Sequence, residues 1–538
     1  MKQLIKKDNI KNFFKTKVVD FFQKNGMLIL FSLLLLIISV FLVQTADNYI
    51  MQDTLNQKPT QMLIPLFEGG FGTIAFWVTV ITLILYTIIF VIIGKKEFEV
   101  SKVFLLIMIP LGIMHMFLSP LGRIPDEIYH SRRAYEVSLG HFITDIDEVN
   151  DERGRMLPQD LRVVVPENIS YTAFKERIDV VEKEYAGTED FMTFPCVAVY
   201  TFISYVPQAI GIVISRLFTD NFLIQLYSAR FVNLAVYTAI IYISLKIIPF
   251  KKLAALMIAL LPIGIQQAAS MSPDALTNSL SIFFVAYILS LIYGEGVLKR
   301  KDYIILTITS ILVALIKIIY LPLCALVFLI PDKRFESKKK KWTFLIIIFI
   351  ISVILNLAWL KFANSRYPQS YHGANQKEQI AFILEDPIRY VVTCFRDVHL
   401  RLDFYIYGLF GKDLSVIDID ASYITVYTLM FLLVYSFVID DGGKIKPTFI
   451  QKGFFFVIFI AIVALLFTSE YLTWNPVGNY WVNGIQPRYY IPMLLLIAFV
   501  ANMNNIKVEK KIDYRYVYMI LITSNLHCIM TMLNIFMK

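Results

Sequence analysis

Charged side chains are scarce in this chain of 538 residues, of which Asp, Glu, Lys and Arg make up only 17%. Soluble globular proteins have roughly a quarter. Hydrophobic residues account for 57%, and the mean hydropathy is +0.62. Because the apolar runs recur from end to end, the sequence excludes a string of soluble domains and predicts a membrane protein. The net charge of +9 does not indicate nucleic-acid binding, since the lysines cluster in short stretches between apolar runs.

Several chemical signatures are also missing. The four cysteines lie far apart without a CxxC pair, which favours ordinary apolar packing over metal or redox chemistry; they are Cys196, Cys324, Cys394 and Cys528. The sequence contains no P-loop, no HExxH and no GxSxG. Transport driven by nucleotide hydrolysis is therefore not favoured.

Apolar runs long enough for membrane helices, which need roughly 20 residues each, are the main feature that is present. They predict an all-α polytopic membrane protein with about a dozen transmembrane helices. The candidate segments are 27–45, 74–94, 103–119, 196–217, 225–247, 252–270, 274–293, 303–318, 320–331, 342–362, 421–438, 452–468, 488–503 and 514–535. The short pair 303–318 and 320–331 predicts a helical hairpin that is broken near Lys317 and Pro322.

Lysine-rich stretches predict which loops face the cytoplasm. They leave three outer segments: a large first one at 120–195, a second at 363–420 and a third at 469–487. Residues 1–100 are predicted to be a basic cytoplasmic N-terminus with two transmembrane helices, and 101–538 the main membrane domain. Five apolar segments lie between the inner loops near 95 and 300, where an even number is required. One segment between 196 and 270 must therefore be re-entrant, split or non-spanning, and the sequence does not decide which.

The first outer segment opens with Pro125, Asp126 and Glu127, which is typical of a helix start. On such a helix Asp126, His130 and Arg133 fall on one face, because they are spaced at i, i+4 and i+7. A carboxylate held there could act as a general base toward a hydroxyl group. The alternative is a capped helix with a solvated charged face.

Three further polar residues interrupt apolar surroundings. Asp274 follows Pro273 and is either a helix cap or a site residue. Lys317 lies in an apolar run, where a charge is costly and indicates function unless the side chain reaches the membrane surface. Arg488, with Tyr489 beside it, could bind phosphate oxygens or serve as an interfacial anchor. We expect Lys317 and Arg488 to face one cavity on the side of Asp126 and Glu127.

Four motifs occur in a fixed order: Pro125-Asp126-Glu127 with His130 and Arg133-Ala134, Ser272-Pro273-Asp274, Lys317 with Tyr320 and Pro322, and Gly484-x-Gln486-x-Arg488-Tyr489 with Pro492. Together they resemble a bacterial family of multi-pass membrane proteins of unknown function that is grouped by fold with the GT-C glycosyltransferases. The resemblance covers about residues 100 to 500. The chain departs from the family at Pro487, where a glycine is usual.

The resemblance implies a GT-C-like membrane domain in the bacterial cell membrane with its active site outside. The implied activity is an inverting transfer of a sugar from a polyprenyl-phosphate donor to a hydroxyl of a cell-surface glycan or polymer. Asp126 or Glu127 would be the catalytic base, and both could bind Mg²⁺ or Mn²⁺ if a cation is used. The residues expected to bind substrate are His130, Arg133, Asp274, Lys317, Tyr320, Arg488 and Tyr489.

Two other functions remain open at this point. A polysaccharide polymerase or ligase would use the same lipid-phosphate chemistry on larger donors. A flippase or transporter of lipid-linked sugars would instead need a charged cavity through the bilayer. All three would interact with membrane lipids and a lipid-linked sugar, and none with nucleic acid.

Overall fold

A computed structural model describes residues 98–164, 188–368, 371–438, 445–502 and 513–536, together with isolated positions between 26 and 93. Helices dominate these residues, so the predicted helical architecture is confirmed. The basic N-terminus and the predicted span at 27–45 lie almost wholly outside the described residues, and so does most of the predicted span at 74–94.

In chain order the α-helices are α1 (Val100–Leu118), α2 (Glu127–Ser138), α3 (Asp160–Val164), α4 (Pro195–Ala198), α5 (Val206–Arg216), α6 (Phe222–Ile247), α7 (Lys252–Ala259), α8 (Pro262–Ala268), α9 (Asp274–Tyr293), α10 (Arg300–Ile316), α11 (Lys338–Arg366), α12 (Gln376–Glu385), α13 (Pro387–Tyr407), α14 (Tyr423–Val438), α15 (Phe449–Thr473), α16 (Leu494–Val500) and α17 (Tyr514–Phe536). The 3₁₀ segments are Phe202–Tyr205, Ile318–Leu329, Asp332–Arg334, Gly408–Phe410 and Pro487–Met493.

A small antiparallel sheet, which the sequence did not predict, lies in the first outer segment. Its strands are β1 (Asp145–Asp147), β2 (Glu152–Pro158) and β3 (Glu189–Thr193), with β2 in the middle. Gly154 pairs with Thr193, where a Cβ on the glycine would lie 2.0 Å from the Met192 carbonyl oxygen. The sheet thus depends on glycine at this close approach of two strands.

The three predicted outer segments meet at one end of the helical bundle, which we call the site end. Tyr367 Oη, at the start of the second segment, donates to the Thr144 carbonyl of the first at 2.8 Å. The Tyr371 amide donates to the carbonyl of Thr473 in the third at 3.1 Å. The grouping agrees with the topology predicted from the lysines.

The lysine-rich segments meet at the opposite end, which we call the lysine end. The Leu298 amide donates to the Arg334 carbonyl at 2.8 Å, and Tyr293 Oη donates to Gln451 Oε1 at 3.0 Å. These contacts lie in or next to the lysine-rich stretches at 299–301, 333–341 and 444–452, which the sequence assigns to the cytoplasm. The lysine-rich segments are thus grouped at one end, which is consistent with the predicted topology.

The segment 196–217 is the one that does not cross the bundle. It is divided into α4, a 3₁₀ turn and α5. Ser204 Oγ in the turn donates to Ile316 O, where α10 reaches the site end, at 2.9 Å. At the other terminus Arg216 Nη2 donates to Ser138 Oγ, also at the site end, at 2.9 Å. Since both termini lie at the same end, four crossing segments remain and the count becomes even.

The segment 252–270 crosses in two pieces, α7 and α8. Lys251 Nζ, just before α7, donates to the Phe437 carbonyl at the lysine end at 2.7 Å. The Met271 amide, just after α8, donates to Glu127 Oε1 at the site end at 3.1 Å. The break therefore interrupts a crossing and does not reverse it.

Five helices in the described part of the chain are long and apolar enough to cross a membrane: α1, α6, α9, α11 and α15. Helix α9 is central, because 89% of its most apolar stretch of 18 residues is buried. In α11 and α15 only 22% of the corresponding stretch is buried. The outer face of α11 exposes isoleucines such as Ile347 and Ile354. An exposed apolar surface of this extent fits contact with lipid. The central position of α9 sets where its first residue, Asp274, lies.

Cysteine labelling tests the orientation of the bundle. On a background lacking the four native cysteines, we expect a Val149→Cys variant to react with an impermeant maleimide in intact cells. A Ser337→Cys variant should react only after the membrane is opened, because its loop is lysine-rich. The reverse pattern would invert the predicted topology.

Candidate functional site

Asp274 joins two cations that are far apart in the sequence. Its Oδ1 lies 3.2 Å from Lys317 Nζ, and its Oδ2 lies 3.0 Å from Arg488 Nε. The expected meeting of Lys317 and Arg488 on one side of the bundle is therefore confirmed. Both cations are largely buried, with side chains 12% and 3% exposed, so their charges depend on carboxylate partners.

Breaks in helices place these three side chains. Asp274 is the first residue of α9, and its carboxylate pairs with the cations without capping the helix. Helix α10 ends at Ile316, and Lys317 is extended (φ −155°, ψ 118°) before a 3₁₀ segment of 12 residues. A 3₁₀ run of this length is uncommon and often marks a functional position. The predicted break in the hairpin thus falls at Lys317.

Asp126 completes the group from the first outer segment. Its Oδ2 lies 2.8 Å from Arg488 Nη2, although the two residues are 362 positions apart. Asp126 precedes α2 with a left-handed backbone (φ 63°), and its carboxylate makes no capping hydrogen bond to that helix. The helix-cap alternative therefore does not describe this side chain. With 42% of its side chain exposed, Asp126 is the accessible carboxylate of the site.

Tyr489 and Tyr320 support the cations. Lys317 Nζ lies 3.9 Å from the centre of the Tyr489 ring, a cation–π contact. Tyr320 Oη donates to the Tyr489 carbonyl at 2.8 Å. This bond joins the 3₁₀ segment that follows Lys317 to the 3₁₀ segment that contains Arg488. Tyr489 thus contacts a cation directly, whereas Tyr320 fixes the backbone beside it.

Arg488 retains an unused donor. Its Nη1 is buried and has no hydrogen-bond partner among the described residues. Buried donors are normally paired, and an exception calls for an explanation. An anionic ligand between Arg488 and the exposed Asp126 would supply the missing acceptor, because a guanidinium binds phosphate or carboxylate with two prongs.

Glu127 has a different environment from its neighbour. Arg230 donates to both oxygens, from Nε to Oε1 at 2.8 Å and from Nη2 to Oε2 at 2.6 Å. The Gly122 amide donates to Oε2 at 2.9 Å and the Met271 amide to Oε1 at 3.1 Å. Each carboxylate oxygen thus accepts two hydrogen bonds, and the whole side chain is buried. These contacts make Glu127 a structural partner of Arg230.

A cation shared by Asp126 and Glu127 does not fit this donor set. A hard cation needs free oxygen lone pairs, and both oxygens of Glu127 are occupied by donors. Arg488 already forms an ion pair with Asp126. We therefore assign no step to Mg²⁺ or Mn²⁺.

His130 and Arg133 differ in their relation to the site. Burial lowers the pKa of His130 to about 4, although the charges of Asp126 and Asp274 act in the opposite direction. Its imidazole is thus neutral near pH 7, and its Nδ1 lies 2.9 Å from Tyr205 Oη. Arg133 pairs with Glu136 and donates to a loop carbonyl, so it joins α2 to the rest of the first outer segment.

Two residues that the sequence analysis overlooked contribute to this region. Arg230 lies within an apolar run, and the reasoning applied to Lys317 would have singled it out. Glu470, near the end of α15, lies close enough to Lys317 and Arg488 to interact with their charges. Its Oε2 would be only 2.5 Å from a Cβ on Gly484, which has a left-handed φ of +98°. Gly484 thus leaves room for a third carboxylate.

A family described as "Predicted membrane protein (DUF2142)" matches residues 106–497. The chain belongs to this family. The match contains all the residues of the site, from Asp126 to Arg488. No curated protein and no solved structure matches the chain.

Glu127 is a buried structural residue and Asp126 an accessible one, so their substitution should affect the stability of the protein differently. Glu127→Gln leaves the buried charge of Arg230 without its partner, which typically costs about 3–5 kcal/mol. We expect a clearly lower Tm in detergent and less folded protein, measured by fluorescence-detected size exclusion. Asp126→Asn should change the Tm little, because its side chain is partly exposed. Asp418→Asn, which breaks a surface pair with Arg123, is the matched control. A stable Glu127→Gln variant would contradict the structural role.

Proposed function

We propose that this membrane protein is a glycosyltransferase of the GT-C type. It moves a sugar from a polyprenyl-phosphate donor to a hydroxyl of a cell-surface glycan or polymer, outside the membrane and with inversion. The donor phosphate binds at Lys317 and Arg488, and Asp126 is the base. The observation that carries the proposal is the meeting of these two cations beside one accessible carboxylate, with an unpaired guanidinium donor among them.

The position of the cluster suits a lipid-linked substrate. It lies at one end of a bundle whose lateral surface is apolar, where a polyprenyl chain can remain in the bilayer while its phosphate reaches the cations. Lys317 is followed by the apolar 3₁₀ segment Ile318–Leu329, and Arg488 lies in the 3₁₀ segment Pro487–Met493, which leads into the apolar helix α16. The charge and the apolar surface that such a lipid needs are therefore adjacent.

The reaction is a single displacement. The acceptor oxygen attacks the anomeric carbon, and its proton passes to the Asp126 carboxylate. The bond between the anomeric carbon and the phosphate oxygen breaks, and its electron pair leaves with the polyprenyl phosphate. Negative charge grows on that phosphate, where Arg488 and Lys317 stabilise it. The attack comes from the face opposite the leaving group, which inverts the configuration.

Glu127 has no direct step in this scheme. It holds Arg230, which also donates to the carbonyls of Met116, Ser119 and Pro120. This network fixes the loop that leads into Asp126. We therefore assign the base to Asp126 alone, and Glu127 becomes a positioning residue.

The proposal can be tested in a strain that lacks this protein and is complemented with variants of it. Surface-glycan modification is the activity that is followed. Asp126→Asn removes the base, so we expect activity to fall by a factor of roughly 100 to 10,000. Arg488→Lys should also impair turnover, because an ammonium cannot reproduce a two-pronged contact. Lys317→Met should impair turnover too, because it keeps the length of the side chain but removes a contact to the donor phosphate. The measurement is the sugar composition of the surface glycan, normalised to protein in the membrane. Wild-type composition in the Asp126→Asn strain would contradict the role of the base.

The two other functions give different results with purified protein. A transferase in vesicles consumes a polyprenyl-phosphate sugar only when an acceptor is supplied. A flippase would move the lipid between leaflets without consuming it. A polymerase or ligase would require a donor that carries an oligosaccharide. Translocation without turnover across a panel of lipid-linked glucose, galactose and N-acetylglucosamine would replace our proposal with the flippase.

A further inference from the structure

The base and the phosphate site share one arginine. Arg488 Nη2 lies 2.8 Å from Asp126 Oδ2, so in this structure the base is paired with the cation that should bind the donor. A donor phosphate that uses Nη2 of Arg488 would therefore compete with the Asp126 carboxylate for the same nitrogen. This inference rests on the proposed function of the site.

The two carboxylates on Arg488 are not equally replaceable. The Asp274 side chain is 9% exposed and also binds Lys317, so removing it would leave two buried cations without a partner. The Asp126 side chain is 42% exposed and lies on an outer segment. Water can solvate Asp126 when it leaves Arg488, which makes it the carboxylate that an incoming anion can displace.

A second observation indicates where the anion arrives. Arg488 Nη1 is buried and has no hydrogen-bond partner among the described residues. An anion that bonds to Nη1 and also takes over Nη2 would use two prongs of the guanidinium. The donor is a phosphodiester, whose two non-bridging oxygens can take both prongs and still have lone pairs with which to reach Lys317.

We propose that Asp126 occupies part of the phosphate site until the lipid donor displaces it. The donor phosphate replaces the Asp126 carboxylate on Arg488, and Asp274 keeps both cations in place. Donor binding thereby frees the base, so the base becomes active only when a sugar is bound beside it. Binding is ordered, with the donor before proton removal from the acceptor.

The proposal has an unusual consequence for one variant. If Asp126 competes with phosphate, then Asp126→Asn abolishes turnover and at the same time strengthens phosphate binding. The expected gain in affinity is about twofold to tenfold, the range for a pair that is partly exposed to solvent. A carboxylate that helps to bind the donor would produce a loss of affinity instead, and a gain that does not pass through Arg488 would persist when Arg488 is also replaced.

The experiment measures binding without turnover, by calorimetry on purified full-length protein in detergent. The probes are farnesyl phosphate, farnesol and inorganic phosphate. Asp418→Asn is the matched control, because it removes one negative charge at the site end from a pair outside the site. The double variant Asp126→Asn with Arg488→Lys tests whether the gain passes through Arg488.

Tighter farnesyl phosphate binding in Asp126→Asn, absent in Asp418→Asn and lost in the double variant, would support displacement. Unchanged or weaker binding in Asp126→Asn would overturn it and leave the proposed transferase standing. Gains for both inorganic and farnesyl phosphate would support displacement, whereas equal affinities of the wild-type protein for the two would contradict a lipid donor. If wild-type protein binds farnesyl phosphate no better than farnesol, the proposed donor and this inference both fail.

Discussion

The Asp274 carboxylate is the interaction on which the site depends. One oxygen faces Lys317 and the other faces Arg488, so a single side chain pairs with two cations that would otherwise repel each other in an apolar bundle. Asp274 can do this because it begins the most deeply buried of the apolar helices long enough to cross a membrane in the described part of the chain. The position of the helix and the chemistry of the site are thus set by the same residue.

Much of this arrangement could be predicted from the sequence, because it follows from local composition. The apolar runs, the lysine-rich loops and the charge at Lys317 each indicate their place without knowledge of the fold. The break of the hairpin at Lys317 also follows from the chain itself, since a polar residue and a nearby proline interrupt two short apolar runs. Segment 196–217 could not be assigned, because only its contacts at both termini reveal that it stays at one end.

The roles of Asp126 and Glu127 could not be separated from sequence, because they depend on partners far along the chain. Arg230 lies 103 residues after Glu127 and satisfies both of its oxygens. Arg488 lies 362 residues after Asp126. Two adjacent acids at a helix start have the same local propensity, and only the tertiary contacts make one structural and the other accessible. The partner of each acid is therefore information that the fold alone supplies.

The buried pair of Glu127 and Arg230 fixes the backbone next to the more accessible Asp126. Glu127 and Arg230 anchor the turn between α1 and α2, since Arg230 also donates to three carbonyls there. With the turn fixed, Asp126 can adopt a left-handed backbone and leave its side chain partly in solvent. A strained position of this kind persists only when the surroundings hold it. The support that Glu127 and Arg230 give to this turn is thus the condition for the open position of Asp126, on which the exchange and the chemistry that we propose for Asp126 both depend.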